Sequence, residues 1–303
     1  MQQSSGFLSA VVQVTRPVYL LGGFVLYALG AGVARFLGQP VFWDLYWLGQ
    51  VCVTMLQLSG YLLEAYFTSP PDEIARQTRR VKEDGSPAAF IPRSTYLMAA
   101  ASTLTAAAVA TFVLISGGRV NEMSLVFLGV LLALVIAYAV PPLELARKGF
   151  GAIIQAAFLV NVVPALAYVL QTGELHRLLG MLTFPLVALY LAMALAFSLP
   201  SYYNDLKHNR RSLMVNTGWQ RGMVMHNVMV LTAYFLLSLA MALGLPWSLA
   251  WPAMLTMPVG LYQLLQMWQI GQGAKPRWRI LRLTAAASLG LMAYLMTFSL
   301  WVR

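Results

Sequence analysis

The chain has 303 residues, of which 59% are apolar and only 10% are charged, and its formal net charge is +10. Soluble domains carry about 25% charged residues, so a water-soluble fold could not cover its surface with this composition. Disordered chains are polar or highly charged and are excluded for the same reason. The single cysteine, Cys52, excludes a disulfide-stapled scaffold. The composition therefore indicates a protein that spans a membrane several times.

Nine apolar runs follow one another along the chain, each long enough to cross the hydrocarbon core, which takes about 20 residues per helix. They cover 18–37, 41–67, 95–116, 123–140, 151–171, 178–199, 224–244, 247–268 and 281–301. The runs do not alternate in polarity as membrane strands do. The predicted fold class is therefore all-α, a bundle of nine transmembrane helices that forms a single domain over residues 1–303. The first ten residues carry no basic segment, so we expect no cleavable signal peptide.

The basic residues predict the orientation of this bundle. Of the 20 Lys and Arg residues, all but four fall on one side, and the four on the other side are Arg35, Arg119, Arg177 and Arg303. Because Lys and Arg are enriched in cytoplasmic loops, we expect the N-terminus and the two long connections, 68–94 and 200–223, to be cytoplasmic. Nucleic-acid binding would need a basic face outside the bilayer with elements that read or stack on bases, and none is evident.

The acidic residues gather on the same predicted side. Seven of them lie there or at the helix ends that face it: Glu64, Asp72, Glu73, Glu83, Asp84, Glu144 and Asp205. Two stretches, 60–73 and 197–215, place carboxylates at the cytoplasmic ends of the second and sixth spans. Long polar connections in a compact protein are usually functional, so these two helix ends form the candidate site.

Three segments resemble motifs of a known family. Arg16 and Pro17 precede the first span, residues 138–151 read Tyr-Ala-Val-Pro-Pro-Leu-Glu-Leu-Ala-Arg-Lys-Gly-Phe-Gly, and residues 205–218 read Asp-Leu-Lys-His-Asn-Arg-Arg-Ser-Leu-Met-Val-Asn-Thr-Gly. These three segments, by their order and by their positions at helix ends, resemble motifs of the UbiA superfamily of intramembrane prenyltransferases. The members of that family also have nine helices. The resemblance runs nearly end to end and rests on this motif context.

The resemblance implies a reaction and a set of site residues. In that family two Asp-rich motifs bind Mg²⁺, which bridges to the diphosphate of an allylic isoprenoid donor, and basic residues neutralise the leaving group. By position, Asp72 and Asp205 are then the catalytic residues and the Mg²⁺ ligands. An apolar tunnel would hold the prenyl tail beside the acceptor. The implied substrate-binding residues are Glu64, Tyr138, Arg147, Lys148, Tyr202, Asn204, Lys207, Arg210 and Arg211.

Both Asp-rich motifs depart from the family pattern. In the first, Glu64 stands where Asn is usual and Thr68 where Asp belongs. In the second, Ser201 takes the first Asp position and leaves Asp205 alone. Residues four apart share one helix face, so each helix keeps one carboxylate of a pair. Fewer carboxylates should weaken Mg²⁺ binding, because Mg²⁺ sheds its water reluctantly; a single-metal site, or a diphosphate held by Arg and Lys alone, stays open.

The candidate residues also have structural interpretations. Asp72 follows two prolines and suits the first turn of a helix, and Asp205 could close a helix at a polar boundary. Glu64 could extend its carboxylate to the interface, although acids inside a membrane mark functional sites by default. The basic residues are explained first by the enrichment of Lys and Arg in cytoplasmic loops, and the tyrosines suit the aromatic belt at the membrane interface. Aromatic faces also stabilise cations, however, and an allylic carbocation is what prenyl transfer would form.

Three functions stay open at this point. The first is a prenyltransferase that moves an isoprenoid chain from its diphosphate to a lipid-soluble acceptor, such as a quinone precursor, a tetrapyrrole or another lipid, with Mg²⁺ as cofactor. The second is a non-catalytic subunit of a membrane complex that holds a quinone, a carotenoid or a lipid and needs no metal. The third is a terpene cyclase that uses no external acceptor. The expected partners are an isoprenoid diphosphate or another isoprenoid lipid, the lipid bilayer and other membrane proteins.

Overall fold

A computed structural model describes residues 14–69 and 91–302 of the chain. These residues form nine long helical segments and no strand, in agreement with the all-α prediction and the predicted number of helices. Seven of the segments are long and apolar enough to cross a membrane, all except α2 and α8. The segments are α1 (Pro17–Phe36), α2 (Trp43–Thr68), α3 (Arg93–Ser116), α4 (Glu122–Ala139), α5 (Gly151–Thr172), α6 (Arg177–Ser198), α7 (Trp219–Ala242), α8 (Trp247–Met254 and Met257–Gly271) and α9 (Trp278–Trp301).

The helices α1, α5 and α6 lie at the centre of the bundle, and α3 lies at its outside. In α6 and α5, 67% and 61% of the most apolar window is buried, but in α3 only 22% is. The helix α1 packs on α5, α9 packs on both α1 and α6, and α2 packs on α3 and α4. An apolar helix that buries so little of its surface suits a hydrocarbon environment. The interior face of α2 carries the buried polar side chains of Gln50 and Gln57 among apolar residues.

The helix α8 is broken in the middle by its prolines. Its two halves separate at residues 255–256, between Pro252 and Pro258, because proline lacks a backbone donor and clashes with the preceding turn. The Thr256 carbonyl at the break accepts a hydrogen bond from the Tyr234 hydroxyl of α7 at 2.9 Å. The same carbonyl also accepts hydrogen bonds from the backbone N–H groups of Val259 and Gly260, so the bond from Tyr234 joins α7 to the break in α8.

Much of the connection predicted at 200–223 is helical. After α6 the chain makes a 3₁₀ turn, Leu199–Ser201, and a further helical turn, Tyr202–Lys207. A short helix follows at Leu213–Thr217, and α7 begins at Trp219 rather than at 224. Hydropathy detects only the apolar part of a helix, so it ends a predicted span where polar residues continue the same helix. Most of the connection predicted at 68–94 lies outside the described residues.

The helices α1 and α5 approach each other closely at one glycine. A Cβ atom on Gly30 would overlap the backbone of Pro164, including its carbonyl oxygen. Small residues permit such approaches between membrane helices. Gly22 lies on the same helix with open space where its Cβ would be.

We expect Gly30→Ala to destabilise the bundle by roughly 1–3 kcal/mol, because the added methyl group forces α1 away from α5. Gly22→Ala is the matched control and should leave stability unchanged or raise it slightly, since alanine favours the helix. Chemical unfolding in detergent micelles measures both variants. Equal stabilities of the two variants would show that α1 and α5 do not pack as closely as described.

Candidate functional site

One end of the bundle encloses an open cavity of about 690 Å³, which we call the outer cavity. It is bounded by the residues ahead of α1, the end of α2, the start of α3 and the connections that follow α4 and α6. Four cations and one carboxylate among its lining residues make it a favourable environment for an anion. These charged residues are Arg16, Glu64, Arg147, Arg210 and Arg211.

A second cavity of about 300 Å³, the inner chamber, adjoins the outer cavity and is lined in part by the first turns of α5 and the last turns of α6. Both cavities are lined by Arg16, Glu64 and Arg211. The inner chamber has two cations among its lining residues instead of four, and its lining also includes Phe197 and three tyrosines. The tyrosines are Tyr19, Tyr138 and Tyr190.

A continuous hydrogen-bonded network lines the inner chamber. The Arg16 guanidinium lies 3.0 Å from both Glu64 carboxylate oxygens through Nη2 and donates from Nη1 to the Tyr138 hydroxyl at 2.9 Å. The Tyr138 hydroxyl donates to Glu64 Oε2 at 2.6 Å and accepts from Gln155 Nε2 at 2.8 Å. The Tyr190 hydroxyl donates to Gln155 Oε1 at 2.7 Å. Each donor in this network therefore points along the chain of contacts towards Glu64.

The direction of the network determines which atoms remain available to a ligand. The Tyr138 hydroxyl donates one hydrogen bond and accepts two, which uses its full capacity. Tyr190 gives its only proton to Gln155, so its oxygen offers the inner chamber an acceptor. A ligand group that carries an O–H or N–H is therefore the chemical complement of Tyr190.

Arg16 enters the network from an unusual backbone conformation. Its φ is 47°, in the left-handed region, and Pro17 follows as the first residue of α1. The other non-glycine residues with positive φ in the described ranges, Glu144 and Asn209, lie in the connections at the same end of the bundle. Such conformations cost roughly 1–3 kcal/mol each and cluster at functional sites. Their shared location supports this end of the bundle as the candidate site.

The surroundings of Arg16 keep its side chain charged. Burial by itself lowers the pKa of the guanidinium, but Tyr138 and Glu64 outweigh this effect, so the pKa is raised above its ordinary value. The guanidinium also lies over the Tyr61 ring, 5.2 Å from its centroid, which is a favourable cation–π contact. The Tyr61 hydroxyl in turn accepts a hydrogen bond from Gln57 Nε2 at 3.1 Å. Arg16 is thus a fixed cation at the boundary of the two cavities.

The structure brings some of the predicted substrate-binding residues together and places others elsewhere. Glu64, Tyr138, Arg147, Arg210 and Arg211 line one or both cavities, and Arg147 also forms an ion pair with Glu144 at 2.9 Å. The Lys148 ammonium instead donates to the Pro142 carbonyl at 2.9 Å. The remaining three lie on the helical turn after α6 and are not lining residues of either cavity: Tyr202, Asn204 and Lys207.

The predicted metal ligand Asp205 lies on that same helical turn. Its Oδ2 accepts a hydrogen bond from Ser201 Oγ at 2.7 Å, and Ser201 lines the inner chamber. A neutral hydroxyl therefore occupies the position at which the family pattern has a carboxylate, and it binds the carboxylate that is retained. Asp72, the other predicted ligand, lies outside the described residues.

The residues that the structure describes fit Mg²⁺ poorly. Within 14–69 and 91–302, no group of three or more His, Cys, Asp or Glu side chains could hold a metal ion. Glu64 is engaged by Arg16 and Tyr138, and Ser201 engages one oxygen of Asp205. Mg²⁺ is commonly bound through one or two carboxylates together with substrate phosphates. The Mg²⁺ prediction therefore depends on Asp72 together with Asp205.

Two residues of the network were not predicted from the sequence, Gln155 and Tyr190. Gln155 carried a usable signal, because a polar side chain inside an apolar span marks a functional position. It also directly precedes a π-helical segment of α5, Ala156–Val162, and such segments are rare and frequent at functional sites. Tyr190 carried no comparable signal, since a single tyrosine in an apolar span is also an ordinary packing residue.

We expect Tyr138→Phe to lower the stability of the protein by roughly 1–3 kcal/mol, because the change leaves the partly buried donors of Arg16 and Gln155 without their acceptor. Tyr66→Phe is the matched control, since Tyr66 contacts Arg93 and Phe67 through its ring. Chemical unfolding in detergent micelles compares the two variants. A Tyr138→Phe variant as stable as Tyr66→Phe would contradict the network.

The chain matches the model of the UbiA prenyltransferase family over residues 24–283. No curated protein matches it in sequence. Among solved structures it is similar to a digeranylgeranylglyceryl phosphate synthase, with a TM-score of 0.66 and 13% identity over 100% of each chain. It is also similar to a UbiA homologue from Archaeoglobus fulgidus bound to DMAPP and Mg²⁺, with a TM-score of 0.61 and 17% identity over 96% of this chain and 98% of that chain. These identities show a shared fold, while the family model covers most of the sequence, so the chain belongs to the UbiA prenyltransferase family.

Proposed function

We propose that this integral, multi-pass membrane protein binds an isoprenoid diphosphate and transfers its prenyl chain to a lipid-soluble acceptor. The observation that carries the proposal is that two adjoining cavities share Arg16 and Arg211, while the outer cavity adds two further arginines and the inner chamber adds Phe197 and three tyrosines. An isoprenoid diphosphate has an anionic head that suits the arginines and an apolar chain that suits the aromatic side chains. The Archaeoglobus fulgidus homologue, solved with bound DMAPP and with bound GPP, supports the proposal by analogy.

In the proposed function the diphosphate lies in the outer cavity against Arg16, Arg210 and Arg211. Guanidinium groups suit this role because their parallel N–H donors match the spacing of phosphate oxygens. Neither Arg210 nor Arg211 forms an ion pair with an acid of the described residues, so their donors are available to a ligand. Arg147 contributes charge at the rim but shares its guanidinium with Glu144.

The prenyl chain extends into the inner chamber among Tyr19, Tyr138 and Tyr190. In the transfer, the bond between C1 and the diphosphate oxygen breaks, and its electron pair leaves with the diphosphate. The nucleophilic atom of the acceptor supplies the electron pair of the new bond to C1, and the acceptor releases a proton. Aromatic faces stabilise the positive charge that develops on the allylic carbons, and the arginines stabilise the negative charge on the leaving group.

The acceptor has a route from the lipid side in this proposal. A third cavity of about 210 Å³, the lateral cavity, is walled mainly by apolar residues of α1, α6 and α9. It shares Tyr19 and Tyr190 with the inner chamber. A lipid-soluble acceptor that carries an O–H or N–H and passes from the lateral cavity into the inner chamber would meet the free acceptor oxygen of Tyr190.

In the proposed function Mg²⁺ would be bound by Asp72 and Asp205, the carboxylates retained from the two Asp-rich motifs. Bound there, it would supply positive charge to the leaving diphosphate. The Archaeoglobus fulgidus homologue solved with Mg²⁺ supports this assignment. The neutral residues Thr68 and Ser201 at the partner positions predict weak binding of the metal, because each removes a carboxylate ligand.

The proposal also includes a topology. We place the N-terminus, the outer cavity and the connections after α2 and α6 on the cytoplasmic side, because 16 of the 20 Lys and Arg residues, all but Arg35, Arg119, Arg177 and Arg303, fall there. Residues 1–303 form a single transmembrane domain in this arrangement. The charged residues Glu64 at the end of α2 and Arg210 and Arg211 after α6 line the same cavity, which supports placing both connections on one side of the membrane.

A non-catalytic function is the second candidate, and a specific observation favours it. Glu64 binds Arg16 and Tyr138 rather than standing free, and Ser201 binds the carboxylate of Asp205. A protein with these contacts could retain an isoprenoid lipid or a quinone in the same cavities as a subunit of a membrane complex. The two candidates differ in whether bound diphosphate is released as product.

We expect Arg211→Ala to weaken the binding of geranyl diphosphate at least about fivefold, because it removes a guanidinium that lines both cavities and would form a charge-assisted hydrogen bond with the diphosphate. Arg221→Ala is the control: it removes the same charge from the same end of the bundle, and Arg221 lines neither cavity. Isothermal titration of the purified protein measures both affinities. Geraniol, which lacks the diphosphate, should bind both variants equally. Equal weakening by the two variants would argue for general surface charge and against the proposed diphosphate site.

Turnover is tested separately from binding by Asp205→Ala. In a transferase this variant should lose Mg²⁺-dependent release of diphosphate from geranyl diphosphate in the presence of extracted membrane lipids, while its melting temperature stays unchanged. The double variant Thr68→Asp with Ser201→Asp should raise Mg²⁺ affinity if the two positions face one ligand. A wild-type protein that binds geranyl diphosphate and releases none would establish the non-catalytic candidate.

A further inference from the structure

A separate cavity of about 350 Å³ lies between the end of α8 and the start of α9. Its polar lining residues are Gln266, Gln269, Lys275 and Arg277, and none of its lining residues belongs to the candidate functional site. The volume falls in the range of small-ligand sites. Because α1 and α9 both begin at this end of the bundle, the cavity opens on the same membrane face as the outer cavity.

The charge of this cavity has no acidic counterpart nearby in the sequence. No Asp or Glu follows Asp205 in the chain, and none lines the cavity. Lys275 and Arg277 form no ion pair with an acid of the described residues. Two cations that share a recess without a carboxylate create a local positive potential that attracts an anion.

A buried donor in the cavity is also without a partner. The Gln266 amide nitrogen is excluded from solvent and makes no hydrogen bond within the described ranges, although Gln266 lines the cavity. A buried donor without an acceptor is costly, and an acceptor oxygen supplied by a ligand would remove that cost. The cavity thus offers an anion two charges, and a rotation of the Gln266 side chain would add its amide donor.

The apolar surroundings of the cavity indicate what kind of molecule carries the anion. Tyr262 lines the cavity and is exposed, and Leu265 and Trp268 are exposed on the same helix. On α9, Leu283 is also exposed, one turn beyond the cavity. Tryptophan and tyrosine concentrate at the boundary between headgroups and hydrocarbon. A ligand with a phosphate and acyl chains could place the phosphate in the cavity and the chains along this exposed face.

We propose that the cavity between α8 and α9 binds the phosphate headgroup of an anionic phospholipid through Lys275, Arg277 and Gln266. Basic pockets between transmembrane helices on the cytoplasmic side are known to suit lipid phosphates. The site is independent of the prenyl-binding cavities, so it stands whether or not the protein is a transferase. It would fix the end of α8 to the start of α9 at the membrane surface.

Native mass spectrometry of the delipidated protein tests the site with phosphatidylglycerol and phosphatidylcholine of identical acyl chains. The wild-type protein should retain phosphatidylglycerol in preference to phosphatidylcholine. The double variant Lys275→Ala with Arg277→Ala should weaken that retention roughly 10- to 30-fold, because it removes both cations that would contact the phosphate directly. Arg279→Ala with Arg282→Ala is the matched control, because it removes the same charge from α9 outside the cavity, and it should stay within about twofold of wild type.

A third variant keeps the test informative if the double variant does not fold. Gln266→Met removes the amide donor without a change of charge, and it should weaken retention of phosphatidylglycerol several-fold. Equal retention of the two lipids by the wild type, or equal losses in the two double variants, would overturn the proposal. If inorganic phosphate alone raises the melting temperature of the wild type while phosphatidylglycerol is not preferred, the cavity takes free phosphate and the lipid assignment is wrong.

Discussion

The ion pair between Arg16 and Glu64 connects parts of the site that are distant in the sequence. It joins the residue ahead of α1 to the last turns of α2 and, through Tyr138, to the end of α4. Partly buried charges are costly to desolvate, and only good geometry with further hydrogen bonds offsets that cost. Both conditions are met here, since Glu64 also accepts a bond from Tyr138 and Arg16 also lies over Tyr61. Loss of either charge would leave the other without its partner, so this pair constrains the whole end of the bundle.

The same pair determines the charge balance of the cavities. Glu64 is neutralised by Arg16, and the neutral residues Thr68 and Ser201 stand where the family pattern has carboxylates, so Arg210 and Arg211 face the outer cavity without an acidic counterpart. A surplus of fixed cations attracts anions even where metal ligands are few. Under the proposed function, binding of a diphosphate would therefore be separable from catalysis. The cavity between α8 and α9 has the same imbalance, but its exposed apolar rim directs it towards membrane lipid.

Most of the fold was predictable because the bilayer imposes a strict length and polarity on each span. Nine apolar runs of about 20 residues predicted nine helices, and the described residues contain them. The predicted and observed helices differ where the apolar run and the helix do not have the same ends. The helix beyond Ser198 continues into polar residues, which hydropathy interprets as loop. The break of α8 at 255–256 was signalled by Pro252 and Pro258 but hidden within one continuous apolar run.

The sequence by itself determined the fold class, the number of helices and which helix ends meet, because each of these follows from local composition and from motifs at known positions. Only the tertiary structure decided what each side chain contacts. The partners of Glu64 are 48 and 74 residues away, at Arg16 and Tyr138, and Gln155 and Tyr190 complete the same network from α5 and α6. Such contacts depend on the rotation and depth of each helix in the bundle. Interhelical packing sets both quantities, and apolar periodicity along a membrane helix encodes neither, because lipid and protein interior are equally apolar.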